Sequence, residues 1–464
     1  MADVVEERCR LLLSHLAKTE ARRRAPPVKA HILEDSPAVL FVDWLLENAV
    51  VHRASDVHIE PFEGEARVRF RVDGVLISPY RPFPLGALTF ILSRLKVMAG
   101  IDSTEKRMAQ DGRISYVAKN GETFDIRLST LPLYEGEKAV LRLLPREAEL
   151  LSVKDLDFSS VNQQRFQTLI QGHHGMVLVT GPVNSGKTTT LYAALRAMNS
   201  PRRHIMTIED PPECRLPGIG QMPVREKAGM TYAKSLRALL RADIDAICLG
   251  EIRDPETAQI AVRAALTGHL LLSTLHTSDA PRAVFRLLDM GVEPYLLAPS
   301  LKGVLAQRLV RRICPLCKEK REVRLPSWLG KPLGGSIGLS WQGKGCTACN
   351  GTGYLGRMAL HELLTITPAL EMAILQEASW AKLQKLAREA GLRTLLEDGI
   401  SKAQAGKTTF AEVCKVLEGD AEEVNPEKNA EPPASDDTMR SPRPTPDLRA
   451  MSISTRGGSV TTVE

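Results

Sequence analysis

One stretch limits what this chain can become more than any other: Gly181-Pro182-Val183-Asn184-Ser185-Gly186-Lys187-Thr188, followed by Thr189. It satisfies G-x-x-x-x-G-K-[ST]. The run GMVLVT before it is short and unbroken in its apolarity, which suits a strand buried on both faces of a parallel sheet. The run TTTLYAALRAM after it has helical spacing. A strand, a tight loop and a helix in that order turn successive backbone N–H groups toward one anion. The helix N-terminus adds partial positive charge. Lys187 is then placed to neutralise β- and γ-phosphate oxygens, and the Thr188 hydroxyl to ligate Mg²⁺. The expected ligand is ATP with Mg²⁺, held by residues 181–189. Asn184 occupies a free position of the motif, and asparagine enters left-handed backbone more readily than most residues.

Such a loop binds nucleotide but does not hydrolyse it, so acids are needed nearby. CLGEIRD puts Glu251 at the end of a buried run, with Asp245 before the run and Asp254 after the acid. TIEDPPE puts Glu209 and Asp210 at a second strand end, and STLHTSDA puts His276 at a third. The tip of a neighbouring parallel strand is where Mg²⁺ and the attacking water lie in P-loop enzymes.

The rest of the chain divides by pattern. Residues 1–35 read as a charged arm and linker containing ARRRAPPVK. Residues 36–148 open with a Ser-capped amphipathic helix and continue as period-two strands: DVHIEP, ARVRFRVDGVL, RISYV, TFDIRLSTL and KAVLRLLP. That is an α+β domain. Residues 149–309 alternate strand and helix, an α/β core with a parallel sheet. Residues 310–357 hold two C-x-x-C pairs among glycines and prolines, 358–418 read as helical, and 419–464 as a disordered tail.

No run is apolar for the ~20 residues a membrane span needs, and the acidic start MADVVEERCRLLL does not match a secretory signal. A cytoplasmic location is expected. A net charge of +6 over 464 residues is too mild to point to nucleic acid.

Cys314-Pro-Leu-Cys317 and Cys346-Thr-Ala-Cys349 each present two thiolates to one ion. Together they make a closed tetrahedral S₄ set, the pattern of structural Zn²⁺ with no position open for catalysis. A redox pair and a zinc ribbon touching nucleic acid are the alternatives, the second because LVRRICPLCKEKR is basic.

From Ser36 to about Glu418 the sequence resembles the secretion ATPases that drive type II secretion and type IV pilus assembly. The resemblance rests on ASDVHIEP, VRFRVDGVL, EKRMAQDGRI, DIRLSTLP, GPVNSGKTTTLYAAL, TIEDPPE, LRALLRADIDAICLGEIRDPETAQIAVRAALTGHLLLSTLHTSDA and GVLAQRLVRRICPLC. It implies a RecA-like ATPase domain behind a PAS-like N-terminal α+β domain, in a homo-hexamer whose lobes close on ATP. It implies an acidic box at Glu209 and Asp210, with Asp210 beside Thr188 at magnesium. Glu251 is implied as polariser of the attacking water, and His276 as the histidine box, with His269 in the same stretch. Arg127 and Arg142 are implied as phosphate ligands from the N-terminal lobe, with Arg113 a further candidate. Arg237 and Arg241, four apart and so on one helix face, are implied at the subunit junction. The tetracysteine element is typical of motors that push subunits outward. Implied partners are an inner-membrane platform protein and a cytoplasmic docking protein. Many members carry an extra N-terminal docking domain, and only about 35 residues precede Ser36 here. Another departure is PVNSGK, where the family usually reads Thr-Gly before Ser-Gly-Lys.

Three activities remain at this point. The first is an ATP-driven assembly motor. The second is a nucleotide-gated scaffold of the same machine, against which stand Glu251, His276 and the arginines. The third is a nucleic-acid motor, which would need a strongly basic channel.

Overall fold

The computed structural model describes residues 36–145, 151–323 and 338–421. The arm 1–35 and the tail from 422 onward lie outside the described residues.

Helix α1 (Pro37–Val51) starts where the sequence predicts, with the Ser36 hydroxyl accepting from the Val39 N–H at 3.4 Å. An antiparallel sheet follows, built from β1 (Ala54–Phe62), β2 (Glu65–Val72), β3 (Val75–Ile77), β4 (Phe83–Pro84), β5 (Gln110–Val117), β6 (Thr123–Leu133) and β7 (Gly136–Pro145). Its order is β3-β2-β1-β7-β6-β5, with β4 beside β2. Helix α2 (Leu85–Met98) lies between β4 and β5 in sequence. Strand alternation separates two faces. Val57, Ile59, Val68, Phe70, Ile126, Leu128 and Leu141 form one core with Phe41, Leu45 and Leu46 of α1 and Ile91 and Leu95 of α2. The other face is polar and rich in arginine.

One ion pair sits inside this domain. Lys96 and Glu137 are 1% and 8% exposed, and Lys96 Nζ donates to Glu137 Oε1 and to the Glu105 carbonyl, each at 2.5 Å. Lys96→Met should cost ~3–5 kcal/mol, because it strands a buried carboxylate. Adding Glu137→Met should restore most of that. Chemical denaturation of the two variants checks both statements.

The second sheet has the order β10-β9-β11-β12-β8-β13-β16. Its strands are β8 (Gly175–Thr180), β9 (Ile205–Glu209), β10 (Gly220–Pro223), β11 (Ala246–Leu249), β12 (Leu270–Leu275), β13 (Leu301–Ile313) and β16 (Tyr354–Thr365). All pairings are parallel except β13 with β16. Both faces are covered. Val177, Val179 and Leu272 pack toward α3 (Ser160–Gln171) and α4 (Lys187–Met198). Met176, Leu178 and Leu271 pack toward α5 (Tyr232–Leu239), α6 (Pro255–Leu266), α7 (Ala280–Asp289) and α8 (Pro294–Ser300). This double covering is why the strands read as unbroken apolar runs.

The structure revises one boundary region. The sheet does not stop at Leu309, and the C-terminal part does not begin as helix at Met358. Strands β13 and β16 pair from Gly303↔Thr365 to Ile313↔Tyr354 and carry the sheet out to the cysteines. In β16, Leu360, Leu363 and Leu364 fall at i, i+3 and i+4, so the segment imitates a helix. The helices proper are α9 (Pro368–Leu375), α10 (Trp380–Glu389), α11 (Leu395–Gln404) and α12 (Phe410–Ala421). A small antiparallel pair, β14 (Lys318–Val323) with β15 (Gly338–Gly343), lies between the two cysteine turns.

Candidate active site

The loop after β8 needs backbone that only certain residues supply. Gly181 has φ 151°, Asn184 φ 64° and Gly186 φ 86°. Asn184 therefore does what its type allows: it takes the left-handed position. The glycines are required by space as well. A Cβ on Gly181 would lie 2.4 Å from the Gln307 carbonyl oxygen, and one on Gly186 would lie 2.8 Å from Gln307 Nε2. Lys187 opens α4, and its Nζ donates to the carbonyls of Gly181 and Pro182 at 2.8 and 2.9 Å. Burial pushes the Lys187 ammonium down to about 8, with Glu251 opposing and Arg308 adding to the shift. Thr188 is half-buried, while Pro182, Val183 and Thr189 are exposed. Ser185 is buried, and its hydroxyl has no hydrogen-bond partner among the described residues.

Because β9, β11, β12 and β8 run parallel, their C-terminal ends emerge on one edge of the sheet, where ligands bind in such folds. Backbone and side-chain bonds stitch these ends together. Thr277 N–H donates to Thr180 Oγ1 at 2.9 Å, Thr274 Oγ1 to the Gly250 carbonyl at 2.8 Å, and Gly250 N–H to the Ile208 carbonyl at 2.8 Å. Glu251 thus projects two strands from the loop strand. Its carboxylate pairs with the Arg253 guanidinium through Oε1 and lies 3.4 Å from His276 Nε2 through Oε2. Burial would raise the Glu251 carboxyl, but Arg253 and His276 outweigh it and hold it below its ordinary value. Burial, reinforced by Lys187, lowers the His276 imidazole, with Glu251 opposing. At pH 7 the pair is an ionised carboxylate beside a neutral imidazole.

That ionisation state has a readout. ATP turnover should be level through neutral pH, with the midpoint of any His276-dependent acid limb below 6.5. A midpoint above 6.5 in the kcat–pH profile, removed by His276→Asn, would contradict the geometry.

Glu209 is enclosed. Its oxygens accept from the Tyr192 hydroxyl, from Thr207 Oγ1 at 2.5 Å and from Gln221 Nε2 at 3.1 Å. It anchors α4 to the end of β9 through Tyr192. Asp210, one residue on, is exposed and is the acid of this box that faces solvent. Asp254 caps α6, its oxygens accepting from Thr257 N and Oγ1 at 2.8 and 2.7 Å. Asp245 and His269 sit at the opposite ends of their strands from Glu251 and His276. Asp245 accepts from His204 N–H at 2.7 Å, and His269 Nδ1 lies 3.3 Å from the Ala264 carbonyl. Six residues of β12 separate His269 from His276, roughly 20 Å of strand.

The N-terminal arginines form a row across five strands. Register aligns Arg71, Asp56, Arg142, Arg127 and Arg113 in that order. Asp56 holds Arg142 through Nε at 3.0 Å and lies 3.9 Å from Arg71. Arg127 Nε is buried without a hydrogen bond among the described residues. Arg237 and Arg241 do not share a helix face as their spacing suggests. Helix α5 ends at Leu239. Arg237 pairs with Glu256 at 2.7 Å, and Arg241 turns back to donate to the Arg237 carbonyl at 3.0 Å. A cation at a helix C-terminus is favourable, and the Arg241 guanidinium satisfies one of the helix's last carbonyls.

The four cysteines converge as their spacing predicts. Their sulfurs all lie within 4.8 Å of one another, with Cys314–Cys346 at 3.8 Å, Cys317–Cys349 at 3.9 Å and Cys346–Cys349 at 3.7 Å. Tetrahedral Zn–S bonds of ~2.3 Å give an S···S edge of about 3.8 Å. The donor set and its spacing fit Zn²⁺. Cys349 Sγ also accepts from the Cys346 and Gly353 amides at 3.2 and 3.3 Å, as a metal-bound thiolate would.

A sequence model of the family described as type II/IV secretion system protein matches residues 32–415. The chain belongs to that family. This secretion ATPase is 47% identical over 383 residues to type II secretion system protein E of Dickeya dadantii, covering 82% of this chain and 76% of that protein. It is 46% identical over 392 residues to type II secretion system ATPase E of Vibrio cholerae, with 82% and 76% covered. It is 44% identical over 412 residues to type IV pilus assembly ATPase PilB of Thermus thermophilus, covering 86% of this chain but only 45% of that protein's length. Among solved structures, the Legionella pneumophila ATPase DotB superposes with TM-score 0.62 at 20% identity, covering 85% of this chain and 98% of that one. The pilus retraction motor PilT with bound ADP gives 0.54 at 25% identity, with 81% and 96% covered. The mixed α/β, RecA-like architecture of the secretion ATPases is therefore the fold of this chain.

Three site residues escape sequence reasoning. Arg253 holds Glu251, Tyr192 holds Glu209, and Gln307 holds the loop. Arg253 had a signal, since a base two residues after an acid at a strand end can turn back on it. Gln307 had none, because its partners are 117 and 122 residues away.

Proposed function

We propose that this secretion ATPase is a motor subunit that hydrolyses ATP to assemble pilin-like subunits outward, in type II secretion or type IV pilus formation. Residues 181–189 hold the phosphates, with Lys187 as their counter-charge and Thr188 and Asp210 on the magnesium side. Glu251 polarises the attacking water, and His276 and Arg253 orient its carboxylate. Arg127 and Arg142, with Arg237 and Arg241, bring positive charge to the phosphates when lobes or subunits close in a homo-hexamer. Such arginines contribute about 10³–10⁵-fold in rate in other P-loop enzymes. Zn²⁺ at Cys314, Cys317, Cys346 and Cys349 is structural. The motor acts at the cytoplasmic face of the inner membrane through a platform protein and a docking protein. None of the described helices is long and apolar enough to cross a membrane.

The observation that carries this reading is the Glu251 carboxylate, held ionised by Arg253 beside a neutral His276 at the strand ends next to the loop. A non-hydrolysing scaffold has no use for it. ATP hydrolysis measured against protein concentration, with assembly mass recorded alongside, tests the proposal. Specific activity should rise as hexamers form. Hexamers that bind ATP without turning it over, with membranes added, would leave the scaffold in place of the motor.

A further inference from the structure

The loop's geometry depends on a residue from outside it. Gln307 lies on β13, the strand beside β8, and is 2% exposed. Its Nε2 donates to the Ser185 carbonyl at 2.7 Å, and its Oε1 accepts from Thr190 Oγ1 at 2.7 Å. Both bonds are buried. The amide therefore joins the loop to the first turn of α4. Its orientation is fixed by chemistry, since a flipped amide would set an oxygen against the Ser185 carbonyl.

A trans peptide is planar, so its C=O and the following N–H point in opposite directions. Drawing the Ser185 carbonyl toward Gln307 on β13 turns the Gly186 N–H the other way, away from that side chain. Gly186, at φ 86°, has no side chain to set that plane, and a Cβ there would strike Gln307 Nε2 itself. We propose that Gln307 is a positioning residue for nucleotide binding: it sets the 185–186 peptide so that the Gly186 N–H is aimed at a phosphate oxygen before the nucleotide arrives. The inference rests on loop 181–188 being the phosphate site.

The test is ATP binding and turnover by the full chain in three forms: wild type, Gln307→Glu and Thr190→Val. The glutamate is nearly isosteric and keeps the Thr190 bond, but it puts an acceptor against the Ser185 carbonyl. A charge-assisted N–H bond to phosphate contributes about tenfold or more to affinity. The Gln307→Glu variant should raise KM and Kd for ATP by about that factor. Because the bond exists in ground and transition states alike, kcat should change far less. Thr190→Val frees the amide to turn and should raise Kd by a smaller factor with the same kcat pattern. A merely structural role would lower thermal stability and leave Kd of the folded protein unchanged. That result, or wild-type ATP affinity in Gln307→Glu, overturns the proposal. If Gln307→Glu does not fold, wild-type affinity in Thr190→Val does so. Failure of wild-type protein to bind ATP would instead overturn the phosphate-site reading.

Discussion

Glu251→Gln is expected to abolish ATP turnover while leaving ATP binding intact. The substitution keeps the shape and the hydrogen-bonding length of the side chain and removes only its charge. In the native site that charge is maintained deliberately. Arg253 and His276 outweigh the effect of burial and hold the carboxyl below its ordinary value. An amide at the same place can hold a water but cannot draw a proton from it. General-base groups of this kind contribute about 10²–10⁴-fold, so kcat should fall by at least that range. ATP affinity should stay within a few-fold, because Lys187 and the loop amides lie two strands away. Single-turnover hydrolysis and equilibrium ATP binding on the same preparation check this. Residual turnover above about one-tenth of wild type would remove Glu251 from the chemistry.

Metal removal should be the largest perturbation to stability. The four sulfurs sit at tetrahedral spacing, and among the described residues their apolar cluster holds little beyond the cysteines and Leu355. Structural zinc binding is worth ~10–16 kcal/mol in small peptides at neutral pH, far more than so small a core can supply. Purified protein should carry about one zinc per chain. Cys314→Ser with Cys346→Ser should lose it and melt at markedly lower temperature. Zinc content and a thermal melt on the double variant decide the matter. Unchanged metal content and stability would mean that the S₄ set is not the site.

Much of this molecule is written in local sequence, and the failures share one cause. Most strands of both sheets were legible because alternation and unbroken apolar runs report burial directly. Asn184 was legible because a left-handed position admits few residue types. The cysteines were legible because two turns of fixed length leave one shared geometry. By contrast, β16 from Met358 on read as helix because Leu360, Leu363 and Leu364 fall at helical spacing, and the continuation of β13 past Leu309 has no local mark. Arg241 looked like a partner of Arg237 because spacing alone cannot show where a helix stops. Gln307 and Asp56 act on residues distant in sequence, and nothing local marks such contacts. Asp245 and His269 carry the right chemistry at the wrong ends of their strands, a distinction that requires knowing strand direction.

Strand β13 has a consequence for how this chain can change length. It is a ruler with two marks: Gln307, midway along it, against loop 181–188, and Cys314, just past its end, in the cysteine cluster. A bulge between Arg311 and Ile313 already sets the phase between them. Inserting or deleting one residue there would turn one end to the wrong face. A domain graft, a fluorescent tag or a tolerated natural insertion should therefore be sought elsewhere, since a single added residue in 308–313 would put Gln307 and Cys314 out of phase.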